Sequence, residues 1–229
     1  MRKNIIITSF FLFSISFCYA QTENDAGLWT TFTVQKKITK KLALVIDQEF
    51  RLRENFQRIN LFYTNLGVDY KVNKYLKLSP SYRAIQKIRL DNTVSHRHRL
   101  SMDATIKKKF NKITLAERVR YQIEVQDYLT SRKGHLPEQF LRFKTDLKYD
   151  LGKKFTPFIS CELRYQIRSW RGNDMYYNNR FHRIRNIIGA DYEMNNRHSF
   201  TLYYLIQNEY NIPNIENIYI IGLAYTLSI

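Results

Sequence analysis

The chain has 229 residues, 44% of them apolar and 15% aromatic, with seven Gly and four Pro. That balance excludes a disordered, collagen-like or low-complexity chain, and 17 Tyr with 15 Phe fit poorly with helical solenoids and coiled coils. Thirty-seven Lys and Arg against 20 Asp and Glu give a net charge of +17, which suggests acidic partners only if those charges share one face.

At the amino terminus, Arg2 and Lys3 precede an apolar run from Ile5 to Phe17, and Ala20 is a small residue at its end. A basic start, a short apolar stretch and a small-residue cut site make residues 1–20 a secretory signal peptide. The apolar run is too short to cross a bilayer as a helix, and the bulky Phe17 before Cys18 argues against a lipidation site. Residues 21–229 then form the single mature domain. Cleavage removes two basic residues, lowering the charge from +17 to +15, and leaves Cys161 as the only thiol. One cysteine makes neither an internal disulfide nor a zinc site built on cysteine pairs.

From Trp29 onward the chain alternates apolar and polar residues with a period of two. Trp29 to Ile38 is the first segment. In the second, Leu42, Leu44, Ile46, Phe50 and Leu52 oppose Asp47, Glu49, Arg51 and Arg53. Leu66, Val68, Tyr70 and Val72 follow, then Leu76, Leu78, Pro80, Tyr82 and Ala84 opposite Lys77, Ser79, Ser81 and Arg83. Leu100, Met102, Ala104 and Ile106 oppose Arg99, Ser101 and Asp103; Val119, Tyr121 and Ile123 oppose Arg118, Arg120 and Glu124. Leu141, Phe143, Leu147 and Tyr149 precede Phe155, Pro157, Ile159, Cys161, Leu163 and Tyr165, whose polar partners are Ser160, Glu162 and Arg164. Ile184, Ile188, Ala190 and Tyr192, then Phe200, Leu202, Tyr204 and Ile206, lead to the closing run from Ile221 to Ile229.

Many of these segments exceed the usual strand of about five or six residues and suit the roughly nine to eleven needed to cross a bilayer obliquely. Short turns at Lys40–Lys41, Asn73–Lys74, Asn111–Lys112, Gly152–Lys153 and Asn195–Asn196 alternate with longer polar connections. The longest of these are Gln126–Gln139 and Gln166–Asn179. Short periplasmic turns, with Asn and Gly supplying positive φ, and longer external loops predict an antiparallel transmembrane β-barrel of about 10–12 strands. Tyr70, Tyr149, Tyr192 and Tyr225 fall near the turn ends, and Tyr82, Tyr121, Tyr165 and Tyr204 toward the loop ends, as two interfacial girdles would.

Two features resist this reading. Bacterial single-chain barrels usually have even strand counts, whereas about eleven segments are visible; the mature amino terminus could thread the lumen, the first segment could be a plug, or one strand could lack a clear alternation. Gln48, Glu117 and Asn186 also sit on the apolar parity, and Glu117 either opposes the barrel or marks a register shift.

Gly27-Leu-Trp-Thr30, Gln48-Glu-Phe-Arg51 and the paired hairpins Gly67-Val-Asp-Tyr70 and Gly189-Ala-Asp-Tyr192 make the mature chain resemble the domain-of-unknown-function 2490 family. The resemblance implies an outer-membrane barrel of Gram-negative bacteria and brings no catalytic residue, cofactor or ligand.

On the polar parity stand Arg51, Arg53, Arg83, Arg97, Arg99, Arg118, Arg120, Arg142, Arg164, Arg183 and Arg185, a candidate lumen belt that could pass or dock anions. Asp47, Glu49, Asp69, Asp103, Glu124, Asp146, Glu162, Asp191 and Glu209 share that parity, so eleven arginines face nine carboxylates. That near balance favours a lumen filled by ion pairs, with the remaining positive charge in turns and loops beside lipid head groups. His96 and His98 share a face without a third metal ligand, and His182 and His198 stand alone. Ser95 and His96 are neighbours that point apart, and no nucleophile elbow or phosphate loop occurs. The expected function is therefore structural, or passive passage of small solutes, with outer-membrane lipids as partners and small anions as candidate solutes. An outer-membrane hydrolase with a cross-strand site is the alternative. Nucleic acid is not an expected partner, and no cofactor or metal is expected.

Overall fold

The computed structural model describes residues 23–126, 137–152, 154–168, 179–212 and 215–229. The signal peptide expected at 1–20, and most of the long connections expected around 126–139 and 166–179, lie outside the described residues. Among the described residues there are eleven strands: β1 Glu23–Lys37, β2 Leu42–Arg53, β3 Arg58–Lys71, β4 Leu76–Ile88, β5 Val94–Phe110, β6 Ile113–Gln126, β7 Glu138–Tyr149, β8 Phe155–Arg168, β9 Arg180–Glu193, β10 His198–Glu209 and β11 Glu216–Ser228.

They form one closed barrel in which each strand is antiparallel to the next and β1 meets β11. With an odd number of alternating strands, the first and last run the same way, so that closing pair is parallel, in register from Glu23↔Glu216 to Gln35↔Ser228. The first segment is thus a barrel strand, neither plug nor thread, and the otherwise antiparallel barrel has one parallel pair at this seam. Parallel ladders are slightly weaker per residue. Here the Lys37 N–H donates to the Ile229 carbonyl and the Ile229 N–H to the Gln35 carbonyl, both at 2.9 Å.

Alternation sends Leu44, Ile46, Leu66, Leu100, Ile106, Ile159, Ile188 and Leu202 to an exposed outer face. Glu49, Asp103, Gln122, Glu124, Glu162 and Gln207 are buried inside. One stretch of the interior wall is apolar: Trp29, Leu205, Ile218 and Ile220 pack together with Ile187 and Tyr203. Gly222 belongs to that wall, and a Cβ there would lie 1.9 Å from Cζ of Tyr203. The tyrosine ring therefore occupies the space that a side chain would need.

Glu117 causes no register shift. The β6–β7 ladder is regular through Glu117↔Thr145, and the Thr145 hydroxyl donates to the outward Glu117 carboxylate at 2.8 Å. Gln48 Nε2 likewise donates to Thr64 Oγ1 at 2.7 Å, so outer polar groups are satisfied across strands. Irregularities lie elsewhere, at Arg51/Leu52, Gln139/Phe140 and Arg164/Tyr165.

Turn chemistry is divided between two devices. Asn111 and Gly152 adopt φ of +51° and +70°. Asn73 and Asn195 do not use positive φ; their Oδ1 atoms accept two backbone N–H groups each, from Tyr75 and Leu76 and from Arg197 and His198. Side-chain capping of this kind replaces the left-handed backbone.

The outer tyrosines have phenylalanine neighbours that alternation alone did not single out. Phe155 packs on Tyr192 with centroids 4.8 Å apart, Phe200 on Tyr225 at 5.0 Å and Phe181 on Tyr165 at 5.0 Å. His98 and His198 are also drawn in: their Nδ1 atoms lie 2.7 Å from Tyr82 Oη and 2.5 Å from Tyr225 Oη.

Candidate functional site: a chambered, charged lumen

Inward residues from β2 to β9 carry long cationic side chains, and they enclose chambers in series. At the loop end, Asp25, Arg53, Asn60, Lys87, Arg89 and Glu216 border a mouth of about 900 Å³. Arg53, Asn60 and Lys87 also border a second chamber of about 300 Å³. Six residues, Trp29, Arg51, Arg99, Arg164, Arg183 and Arg185, are common to that chamber and a third of about 390 Å³ below it.

All eleven candidate arginines border these two inner chambers. Arg83, Arg118, Arg120 and Arg142 line the lower one alone; Arg53 and Arg97 line the upper one alone; Arg51, Arg99, Arg164, Arg183 and Arg185 line both.

The carboxylates do not follow the arginines evenly. Toward the turn end, Asp47 accepts from Thr33 and Asn65, and Asp69 accepts from Lys77 and Ser79. Asp146 is held by Ser160 and Lys144, and Asp191 by Lys148 and Thr201. Those four acids are engaged by hydroxyls, an amide and lysines. The arginine tier keeps Glu49, Asp103, Glu124, Glu162 and Glu209. Glu162 receives Arg142 at 2.6 Å, Arg118 at 2.7 Å and Arg185 at 3.3 Å. Glu124 receives Arg99 at 2.5 Å and Arg97 at 3.1 Å. Asp103 accepts two bonds from Arg120, at 2.6 and 2.7 Å. Glu49 pairs with Arg51 and Glu209 with Arg183.

Ten cations line the lower chamber, namely nine arginines and Lys144. Their carboxylate partners are Glu49, Asp103, Glu124, Asp146, Glu162 and Glu209, which leaves an excess of four positive charges among the described residues. The balance inferred from parity is therefore not local. Part of the positive charge that was expected in turns and loops is inside, although Lys40, Lys41, Lys74, Lys112 and Lys154 do stand exposed at the turn end.

Aromatic plates carry several of the guanidiniums. Arg51 lies over Trp29 at 3.6 Å, Arg83 over Tyr63 at 3.7 Å and Arg164 over Phe140 at 3.6 Å. Stacking supports a cation without consuming its hydrogen-bond donors. Trp29, Tyr63 and Phe140 were not anticipated as part of the site, although each is a large aromatic on an otherwise polar parity. Gln122, 1% exposed and on the lower-chamber wall, was missed as well.

The other candidates do not assemble. Ser95 is buried inside the barrel, whereas His96 is on the opposite face. Among the described residues no hydrogen bond joins a serine hydroxyl to an imidazole, and no cluster of three His, Cys, Asp or Glu could hold a metal ion.

An apolar exterior around a charged, chambered interior defines an inside-out β-barrel. The chain belongs to the DUF2490 family, proteins of unknown function, whose model matches residues 26–218. That span includes the Gly27, Gln48, Gly67 and Gly189 segments that carried the resemblance. No curated protein matches the chain.

Proposed function

We propose that this protein is an outer-membrane β-barrel of a Gram-negative envelope, delivered by its signal peptide, whose narrow arginine-lined lumen admits small anionic solutes passively. The observation that carries the reading is the reversed polarity of the wall. Leu100, Ile106, Ile159, Ile188 and Leu202 are more than half exposed outside, while Glu124, Glu162 and Gln122 are almost fully buried inside. In water such an exterior would be one large adhesive patch; in lipid it is the expected surface of a spanning barrel.

Small-solute passage, as opposed to a wide pore, follows from the filling of the lumen. Barrels of about eight strands are filled by their own side chains, and eleven strands with inward arginines leave chambers of about 300 and 390 Å³. The excess positive charge favours anions. The test is electrophoretic and electrical. Folded protein should migrate differently before and after boiling, cofractionate with outer membranes, and give small, anion-favouring currents in planar bilayers. A soluble protein without a heat shift would overturn the membrane assignment, and cation preference would overturn the lumen assignment.

A further inference from the structure

The arginines of the lower chamber form a lateral ladder. In direct register across six strands stand Glu209, Arg183, Arg164, Arg142, Arg120 and Asp103. Four arginines in consecutive strands thus face one another, closed by one acid at each end. Like charges directly opposite across a sheet repel, so the array is unfavourable unless something between them carries negative charge. The end arginines have it: Arg120 is bonded twice to Asp103, and Arg183 is bonded to Glu209. Arg142 shares Glu162 with Arg118 and Arg185. Among the described residues Arg164 makes no salt bridge, Glu124 acting on it only at longer range; its guanidinium lies on Phe140, and its Nε–H has no acceptor. Arg83 makes no salt bridge among the described residues; its Nε–H donates to Asn65 Oδ1 at 3.2 Å and its guanidinium lies over the Tyr63 ring.

Gln122 is a second, independent observation. Its side chain is on the wall of the same chamber, 1% exposed, with both the amide oxygen and the amide nitrogen lacking a partner among the described residues. Buried amides normally make their bonds, so a donor and an acceptor are held in reserve at the cationic chamber.

We propose that the lower chamber is a binding site for a phosphate group. Guanidiniums supply paired N–H donors to oxyanions, and an excess of four charges suits a multiply charged ion better than chloride. Gln122 adds the discrimination: its amide N–H donates to an oxyanion oxygen, while its Oε1 accepts a hydrogen bond that a P–OH group provides and fully ionised sulfate does not. The chamber, at about 390 Å³, has room beyond the phosphate itself. Free phosphate and a small phosphomonoester share the oxyanion chemistry, but at neutral pH only free phosphate keeps a P–OH as its dianion, the ester carrying one only as its monoanion. The proposal rests on the lumen being the functional site of a folded barrel.

The test is calorimetric titration of the full mature chain, folded in detergent micelles and first shown to be heat-modifiable, with inorganic phosphate, sulfate and glycerol 3-phosphate. Phosphate should bind at least tenfold more tightly than sulfate. Arg164→Met, which keeps a long side chain on Phe140, should weaken phosphate at least tenfold, and Gln122→Leu should erase the preference over sulfate. Each variant is checked for the heat shift, so loss of binding by a folded barrel is separated from failure to fold. Tighter binding of glycerol 3-phosphate than of phosphate identifies an ester as the ligand, and the reverse identifies the free ion. Equal affinity for phosphate and sulfate, or unchanged binding in a folded Arg164→Met barrel, overturns the proposal. A chain without any heat shift overturns the barrel reading beneath it.

Discussion

At the scale of single residues, the interior separates groups that hold the barrel together from groups that only line it. Glu162 is in contact with three arginines, and its side chain is 5% exposed. Glu162→Gln leaves those guanidiniums without their shared counter-charge and should cost about 3–5 kcal/mol of unfolding free energy. Arg120→Ala should also destabilise, by a similar mechanism at Asp103. Arg118→Ala, with Glu162 still held by Arg142 and Arg185, should cost less. Arg164→Met should be close to neutral, because no salt bridge among the described residues is lost and relief of repulsion from Arg183, Arg142 and Arg99 offsets the lost attraction to Glu124. Urea-unfolding midpoints of the four variants give the order directly, and a destabilised Arg164→Met beside a stable Arg120→Ala would contradict it. Gly222 tests packing on the apolar wall. Gly222→Ala forces the Tyr203 ring away and should cost about 1–3 kcal/mol. Pairing it with Tyr203→Ala should recover part of that cost, as contacting residues are not additive.

At the scale of elements, the strands were the most legible feature of the sequence. Alternation and length located β2 to β11, because a wall with opposite polarities on its two faces leaves a period-two record wherever a strand runs. The barrel was legible, but the parallel sense of its closing pair was not. Nothing local in Trp29 to Ile38 states which strand it meets, and the parallel partner lies at the other end of the chain. Its nearest hint is that Ile218, Ile220 and Gly222 are apolar on the inner parity too, so β11 has an apolar inner face as well as an apolar outer one. The seam is testable by cross-linking in a Cys161→Ser background. Val34→Cys with Leu227→Cys, directly paired in the parallel register, should oxidise readily. Val34→Cys with Leu223→Cys should stay reduced, since Leu223 pairs with Thr30. Oxidation of the second pair and not the first would refute the register.

The arginines show the same division between what is local and what is not. Their inward parity was readable from Arg118, Arg120, Arg142 and Arg164 alone. Their imbalance was not, because counting carboxylates on a parity ignores height along the barrel. Asp47, Asp69, Asp146 and Asp191 share the parity but sit toward the turn end among Thr, Ser, Asn and Lys partners. The aromatic plates and Gln122 escaped for a related reason: a lone Tyr63 or Gln122 on a polar face gains meaning only from what stands across the lumen.

At the scale of the whole molecule, one physical choice organises the structure. Apolar side chains face out, charged side chains face in, and a single apolar wall from β9 through β11 to β1 closes the ring. The excess of basic residues is divided between the charged interior and the exposed lysines of the turn rim. If the outer face of this barrel meets lipid, as proposed, β5 will show it. Leu100, Met102 and Ile106 face outward and Ser101 and Thr105 inward. Single cysteines at these five positions, in the Cys161→Ser background, would carry a fluorophore in vesicles containing acyl-chain spin labels. Quenching should alternate, strong at Leu100, Met102 and Ile106 and weak at Ser101 and Thr105; uniform weak quenching, with all five sites open to a water-soluble quencher, would mean that this face meets water and not lipid.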